Sequence, residues 1–347
     1  MTAMTKHIKN SWYVASWSKD LGVSEPFAIT ILNQPLVLWR TPDGVVRVLE
    51  DRCMHRFAPL SLGRCEGDRL RCRYHGIVFN TEGVAVEIPG QDEIPERACV
   101  RAYPAVERHG WVWVWMGDRD RANPESIPHV TDLDTPEFHL GAHEFDMNAE
   151  ATLVLDNLLD FSHIPFLHAD SFGISRAWAT THPEMVVLED GVEYRRWVVD
   201  EELVPGSEEL VDVWSVFSAR VPGIITMWNG YYPLGTAKAC DFGPPPPDLP
   251  GGRNINVTSQ AVTPMTDRTT RYFFSWGPRK DCGDETIRDY LMAMAAKAFG
   301  EDKVMVEAQQ AMIDAAPDLR MLTITADSGQ QLYHRILDEH MREAGER

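Results

Sequence analysis

Cys53-Met-His55-Arg and Cys72-Arg-Tyr-His75-Gly each offer one thiol and one imidazole, with 16 residues between His55 and Cys72. From Trp12 to about Trp115 the surrounding text is short apolar or alternating runs broken by turn residues: Phe27-Ala-Ile-Thr-Ile-Leu, Leu36-Val-Leu-Trp, Val45-Val-Arg-Val-Leu and Trp111-Val-Trp-Val-Trp. That pattern predicts a small antiparallel β domain with the two Cys/His stretches on its loops. A tetrahedral zinc could accept two sulfurs and two nitrogens. Zinc knuckles, however, pair cysteines as C-x₂₋₄-C and histidines as H-x₃₋₅-H on separate elements. One ligand of each kind on each loop suits a two-iron centre better, with both cysteines on one iron and both histidines on the other.

That is the ligand set of a Rieske [2Fe–2S] cluster, which makes Cys53, His55, Cys72 and His75 its expected ligands. Two neutral imidazoles in place of thiolates lower the negative charge and raise the potential, so such a cluster accepts electrons readily. Ordinary packing would explain any one of the four residues but not all four at this spacing. Cys65, Cys99, Cys240 and Cys282 lack such partners and read as small core or surface thiols. Six cysteines are too sparse for a secreted disulfide scaffold and are expected to stay reduced in the cytosol.

A chain of 347 residues predicts two domains. The polar, turn-rich stretch Gly117-Asp-Arg-Asp-Arg-Ala-Asn-Pro puts the boundary near 118, giving units 1–118 and 119–347. With 44% hydrophobic and 24% charged residues, disorder and low complexity are excluded. The excess of 52 Asp and Glu over 33 Lys and Arg, a net charge of −19, argues against nucleic-acid or anionic membrane partners. The start, MTAMTKHIKNSW, has no apolar leader pattern, and no stretch approaches the ~20 apolar residues of a membrane span, so a cytoplasmic protein is expected. The second unit mixes a helical pattern from about Glu150 to Phe161, β-like runs such as Trp197-Val-Val and Tyr272-Phe-Phe-Ser-Trp, and long helical text after Asp284. In that text Ile287, Leu291, Met294 and Ala298 recur at helical spacing, and the fold class is α+β. Prolines 244–247, with Asp248-Leu-Pro-Gly-Gly, predict a solvent-facing loop.

A second constellation follows the first helix of that unit: Asp156-Asn157-Leu-Leu-Asp160-Phe-Ser-His163-Ile-Pro-Phe-Leu-His168. Asn157, Asp160 and His163 are spaced to share one helix face among leucines, where idle polar groups would be costly. Pro165 disturbs the helix and can swing His168 toward the same point. Two histidines and a carboxylate on one octahedral face are the site of non-haem Fe(II) oxygenases. For the carboxylate, periodicity leaves Glu301 and Asp302 both open.

Together these residues resemble the α-subunits of Rieske non-haem iron oxygenases, above all the vanillate O-demethylase and dicamba monooxygenase branch. The resemblance spans nearly the whole chain, from Asn10-Ser-Trp12-Tyr-Val-Ala to Ile324-Thr-Ala-Asp-Ser-Gly329. It implies a helix-grip catalytic domain, mononuclear iron on His163, His168 and Asp302, and electrons from NAD(P)H through a flavin and iron–sulfur reductase or a ferredoxin. It implies a homotrimer, in which Asp160 joins His163 to His75 of the partner subunit. Many relatives have Pro and Trp where this chain has Met54 and Ile77, which touches cluster packing but no ligand. The branch oxidises the methyl of an aryl methyl ether with O₂, giving a hemiacetal that collapses to a phenol and formaldehyde. N-demethylation or ring hydroxylation of an aromatic acid is the alternative on the same iron, and an iron–sulfur electron carrier is the non-enzyme alternative. Asn157 is expected to steer oxygen or a ligand water. Asn229, between Trp228 and Gly230 on an expected strand, is a candidate hydrogen-bond donor to a small aromatic substrate.

Overall fold

The computed structural model describes residues 7–203, 206–246, 249 and 252–343, the side chains of 253 and 254 excepted. By its contacts the chain divides in two: one unit runs up to Ile127 and takes in Thr263–Asp267, and the other comprises Pro128–Val262 and the residues from Arg268 on. The stretch after Gly117 belongs to the first unit, where the Trp12 indole donates to the Asn123 carbonyl at 2.9 Å. Of the proline-rich loop, 244–246 lie outside any strand, and 247, 248, 250 and 251 fall outside the described residues.

The first unit is built from small sheets, among them Phe27–Ile31, Gln34–Arg40, Val46–Glu50 and Ala102–Tyr103 in that spatial order. The strand Gln34–Arg40 shows why a run of apolar residues can be a strand with two buried faces. Its alternate side chains Leu36 and Leu38 enter one core with Ile31, Val112 and Val114, while Val37 and Trp39 enter another with Leu49, Leu60, Leu70 and Phe79. The second of these cores also holds Cys53 and Cys72, so burial of the strand's second face anchors the metal-binding loops.

The second unit centres on a seven-stranded sheet in the order Gly141–Met147, Thr269–Pro278, Arg253–Thr266, Ile224–Pro233, Leu210–Arg220, Gly191–Glu202, Glu184–Leu188. The expected late helix runs from Glu285 to Ala315. Asp284 caps it, accepting from the backbone of Thr286 and Ile287 at 2.9 and 3.1 Å. Phe299 on this helix meets the rings of Tyr272 and Phe274 at 5.1 and 4.8 Å. Both sheet residues are fully buried, so the contact locks the helix rotation and turns Asp302, three residues on, inward. Among the described residues no helix is long and apolar enough to cross a membrane.

One local expectation is corrected. The helix Ala151–Leu159 stops before Asp160, which caps it in extended conformation, so Asn157, Asp160 and His163 do not share one helix face. Pro165 does not break a helix carrying His163; it sits in the first turn of a new one, Ile164–Leu167, where its missing N–H costs nothing. His163 and His168 flank that single turn at its two ends.

Candidate metal centres and substrate cavity

The two Cys/His loops follow one plan. Cys53 N–H donates to the Ala58 carbonyl at 2.9 Å and Cys72 N–H to the Ile77 carbonyl at 2.8 Å, while the carbonyls of Cys53 and Cys72 accept from Phe57 and Gly76. The fourth residue after each cysteine is left-handed, Gly76 at φ 75° and Phe57 at φ 57°. Glycine adopts this freely; a phenylalanine there is held by the rest of its loop. Cys53 and Cys72 are buried, whereas His55 and His75 are exposed with ring centroids 4.5 Å apart. Burial raises the Cys53 thiol pKa, backbone donation at His55 opposes it, and the adjacent Cys72 adds to it. Such a pair becomes thiolate when a cation shares its charge. Sulfurs inside and imidazoles outside fit a two-iron cluster. Met54 and Ile77 pack against the same core as the two cysteines.

In the second unit one ligand atom from each of His163, His168 and Asp302 lies within 4.8 Å of the others. Asp302 Oδ1 stands 3.4 Å from His163 Nε2 and 3.2 Å from His168 Nε2, and the two nitrogens are 3.2 Å apart. Burial alone would push the Asp302 carboxyl up, but hydrogen bonds with the two histidines hold it at about 2. His168 is buried, which lowers its pKa, yet Asp302 and Glu301 together raise it. Two imidazoles and a carboxylate converging from one side are the donor set of non-haem Fe(II) sites, and the geometry fits that ion.

The structure separates the two acidic candidates that spacing left open. Asp302 faces both Nε2 atoms, and Glu301 lies behind His168, its Oε2 2.9 Å from Nδ1 and accepting from Ser171 Oγ at 2.7 Å. Asn157 donates Nδ2 to Asp302 Oδ1 at 2.9 Å, so its amide is engaged with the carboxylate. Asp160 accepts the Ser162 N–H at 2.6 Å, and its Oδ2 is 3.9 Å from His163 Nδ1, beyond a hydrogen bond. His163 Nδ1 is buried with no partner among the described residues.

Beside this centre lies a cavity of about 650 Å³, walled by Phe161, Ile164, Phe172, Trp178, Met227 and Trp276 and by Ile287, Leu291 and Met294 of the long helix. Phe172, on the wall, stacks edge-on against His168 at 5.2 Å. Asn229 lines the cavity too; it is 4% exposed, and its Oδ1 has no partner among the described residues.

The Rieske [2Fe–2S] domain family matches residues 11–104, and the vanillate O-demethylase oxygenase C-terminal domain matches 147–343. The chain belongs to the Rieske oxygenases of the vanillate O-demethylase type. This Rieske oxygenase is 38% identical, over 96% of its length and 97% of the relative's, to a putative toluene-4-sulfonate monooxygenase system iron-sulfur subunit of Comamonas testosteroni. It is 30% identical, over 95% of its own length and 94% of the relative's, to the vanillate O-demethylase oxygenase subunit of a Pseudomonas species. The crystal structure of dicamba monooxygenase bound to dicamba superposes with a TM-score of 0.85 at 27% identity, covering 98% of this chain and 99% of that one.

As a Rieske oxygenase the chain is a monooxygenase whose cofactors are a [2Fe–2S] cluster and mononuclear iron. Such systems draw electrons from NAD(P)H through a separate protein. Sequence reasoning missed Ser171 and the use of Glu301 as a hydrogen-bond partner of a ligand. A second carboxylate next to the ligating one was the only signal available.

Proposed function

We propose that this Rieske oxygenase is the oxygenase component of a multicomponent system that O-demethylates a methoxylated aromatic compound of about the size of vanillate. The observation that carries the reading is the aromatic-walled cavity of about 650 Å³ beside His163, His168 and Asp302, a size and lining suited to one small aromatic molecule. Cys53, His55, Cys72 and His75 hold the cluster, and His163, His168 and Asp302 hold the iron. These groups supply the redox chemistry, single electrons from the cluster and O₂ activation at the iron. The protein's own residues do the rest: Glu301 and Asn157 fix the ligating groups, the aromatic wall excludes water and orients the ring, and Asn229 hydrogen-bonds the substrate.

Electrons enter through a reductase or ferredoxin at the first unit, and catalysis belongs to the second, in a cytoplasmic homotrimer. Asp160 would bridge His163 to His75 of the partner subunit. The unpartnered His163 Nδ1 and the exposed His75 support that role. The test is product analysis on methoxylated and N-methylated aromatics with a compatible reductase: formaldehyde with a phenol supports the proposal, and formaldehyde with an amine points to N-demethylation. A second reading, oxidation of an aryl methyl group to an alcohol without formaldehyde, is favoured by the toluene-4-sulfonate monooxygenase relatives at 38% and 36% identity.

A further inference from the structure

The charged residues lining the cavity are Asp200, Glu201 and Glu202; among the described lining residues there is no Lys, Arg or His. Asp200 and Glu202 are exposed, but Glu201 is 4% exposed. It reaches this position because the pairing of its strand with Leu210–Arg220 shifts between Val198 and Glu201. Its carboxylate is held by Ser175, whose Oγ donates to Oε1 and whose N–H lies 3.4 Å from Oε2. Those two bonds leave lone pairs of a buried carboxylate without a cation.

Tyr231 and Asn229 are further polar residues of the cavity wall. Tyr231 has its hydroxyl pKa pushed up to about 12 by burial and by the charge of Glu201. Asn229, on the same strand, also lines the cavity; its Oδ1 is buried with no partner among the described residues. Arg196, a buried cation in the same unit, is not part of the wall. Its guanidinium packs 4.0 Å from the Phe161 ring centroid and 4.8 Å from that of Trp178, and donates to the Trp178 carbonyl at 3.3 Å.

We propose that Glu201 is a specificity-determining residue that makes this cavity select aromatic substrates bearing a hydrogen-bond donor, a phenolic hydroxyl, an anilide N–H or a protonated amine, over aryl carboxylates and sulfonates. A donor meets the Glu201 carboxylate in a charge-assisted hydrogen bond. An anionic group there faces a like charge in a low-dielectric pocket and finds no cation on the wall. The proposal rests on the cavity being the substrate site, and it narrows the substrate class within the function proposed above.

The experiment uses the full-length holo-oxygenase with its reductase and pairs of one skeleton: a methoxyphenol against the matching methoxybenzoate, and a methoxyaniline against the matching methoxybenzenesulfonate. Binding is read by calorimetry and turnover by formaldehyde. The wild type is expected to bind the donor of each pair roughly ten- to a hundredfold more tightly. Glu201→Gln, which keeps the Ser175 contact and removes the charge, should shrink that ratio toward one. Equal binding of both members by the wild type, or a ratio unchanged in Glu201→Gln, would overturn the proposal. Donor-selective binding without formaldehyde from any substrate would leave it standing and overturn O-demethylation instead.

Discussion

Replacing Glu301 by Ala removes no metal ligand, yet it should cost the enzyme its iron. His168 is 1% exposed and the Glu301 side chain 26%, so a water entering the vacated space would only partly replace the acceptor that Glu301 Oε2 offers His168 Nδ1 at 2.9 Å. Leaving that buried N–H unpaired costs about 1–3 kcal/mol. Partners that orient a metal-bound histidine are worth roughly 10–100-fold in metal affinity, a range that matches the first at about 1.4 kcal/mol per decade. Glu301→Gln retains an oxygen acceptor and should fall between wild type and Glu301→Ala. The assay is iron per chain after dialysis against a ferrous chelator of graded strength, with the cluster absorption as internal reference. The cluster signal should be unchanged in all three proteins. If Glu301→Ala holds iron as tightly as wild type, the hydrogen bond does not position His168 and the reasoning fails.

His163→Ala should lose mononuclear iron and all turnover while keeping the Rieske absorption and its paramagnetic signal, as metal and sulfide analysis together with spectroscopy would show; retained turnover would refute the assignment. A Cβ on Gly329 would overlap the Tyr194 hydroxyl and stand 2.5 Å from its Cε1. Gly329→Ala should therefore lower stability by about 1–3 kcal/mol in thermal melts, against the ~1 kcal/mol that alanine would gain in a helix. His334 Nε2 lies 2.6 Å from Asp156 Oδ1, and that bond raises the histidine's pKa despite burial. A raised folded value gives stability that is complete below the unfolded pKa of ~6.5 and is lost as pH rises through the folded one. His334→Gln should thus lower the melting temperature more at pH 6 than at pH 9, by a small margin because the histidine and Asp156 side chains are 37% and 39% exposed.

The sequence makes the β unit and its cluster loops legible because both signals are local. Strand alternation shows in runs such as Leu36-Val-Leu-Trp, and each Cys-x-His or Cys-x-x-His pair carries its ligands within a few residues. The iron centre is legible in composition but not in geometry. Pro165 reads equally as a helix breaker or a first-turn residue, and only the turn at Asp160 decides between them. Glu301 and Asp302 differ by about 100° around a helix, and it is the packing of Phe299 on Tyr272 and Phe274 that fixes which one points inward. Glu201 could not be found from pattern, since a charge at the end of a strand reads as solvent-facing until the register shift at Val198 turns it in.

The two imidazoles at the iron site are supported unequally, and that inequality bears on the proposed assembly. His168 has Nδ1 bonded to Glu301, which is itself held by Ser171, so its ring is set within one protomer. His163 has Nδ1 buried and unpaired among the described residues; Oδ2 of Asp160 lies 3.9 Å away, and Oδ1 of the same carboxylate accepts the Ser162 N–H. A buried N–H in that state costs free energy that a small movement of Asp160 would recover. Docking of a second copy against Asp160 is a natural cause of such a movement, and it would couple His163 to its electron source in the same step. Asp160→Asn should then leave iron and cluster contents near wild type and slow reduction of the iron by a prereduced cluster, measured by single-turnover product formation. Glu301→Ala should do the reverse, losing iron while the remaining loaded centres are reduced at the normal rate. The two carboxylates, both near ligating histidines, would thereby separate into one that builds the site and one that wires it, and equal phenotypes would contradict that division.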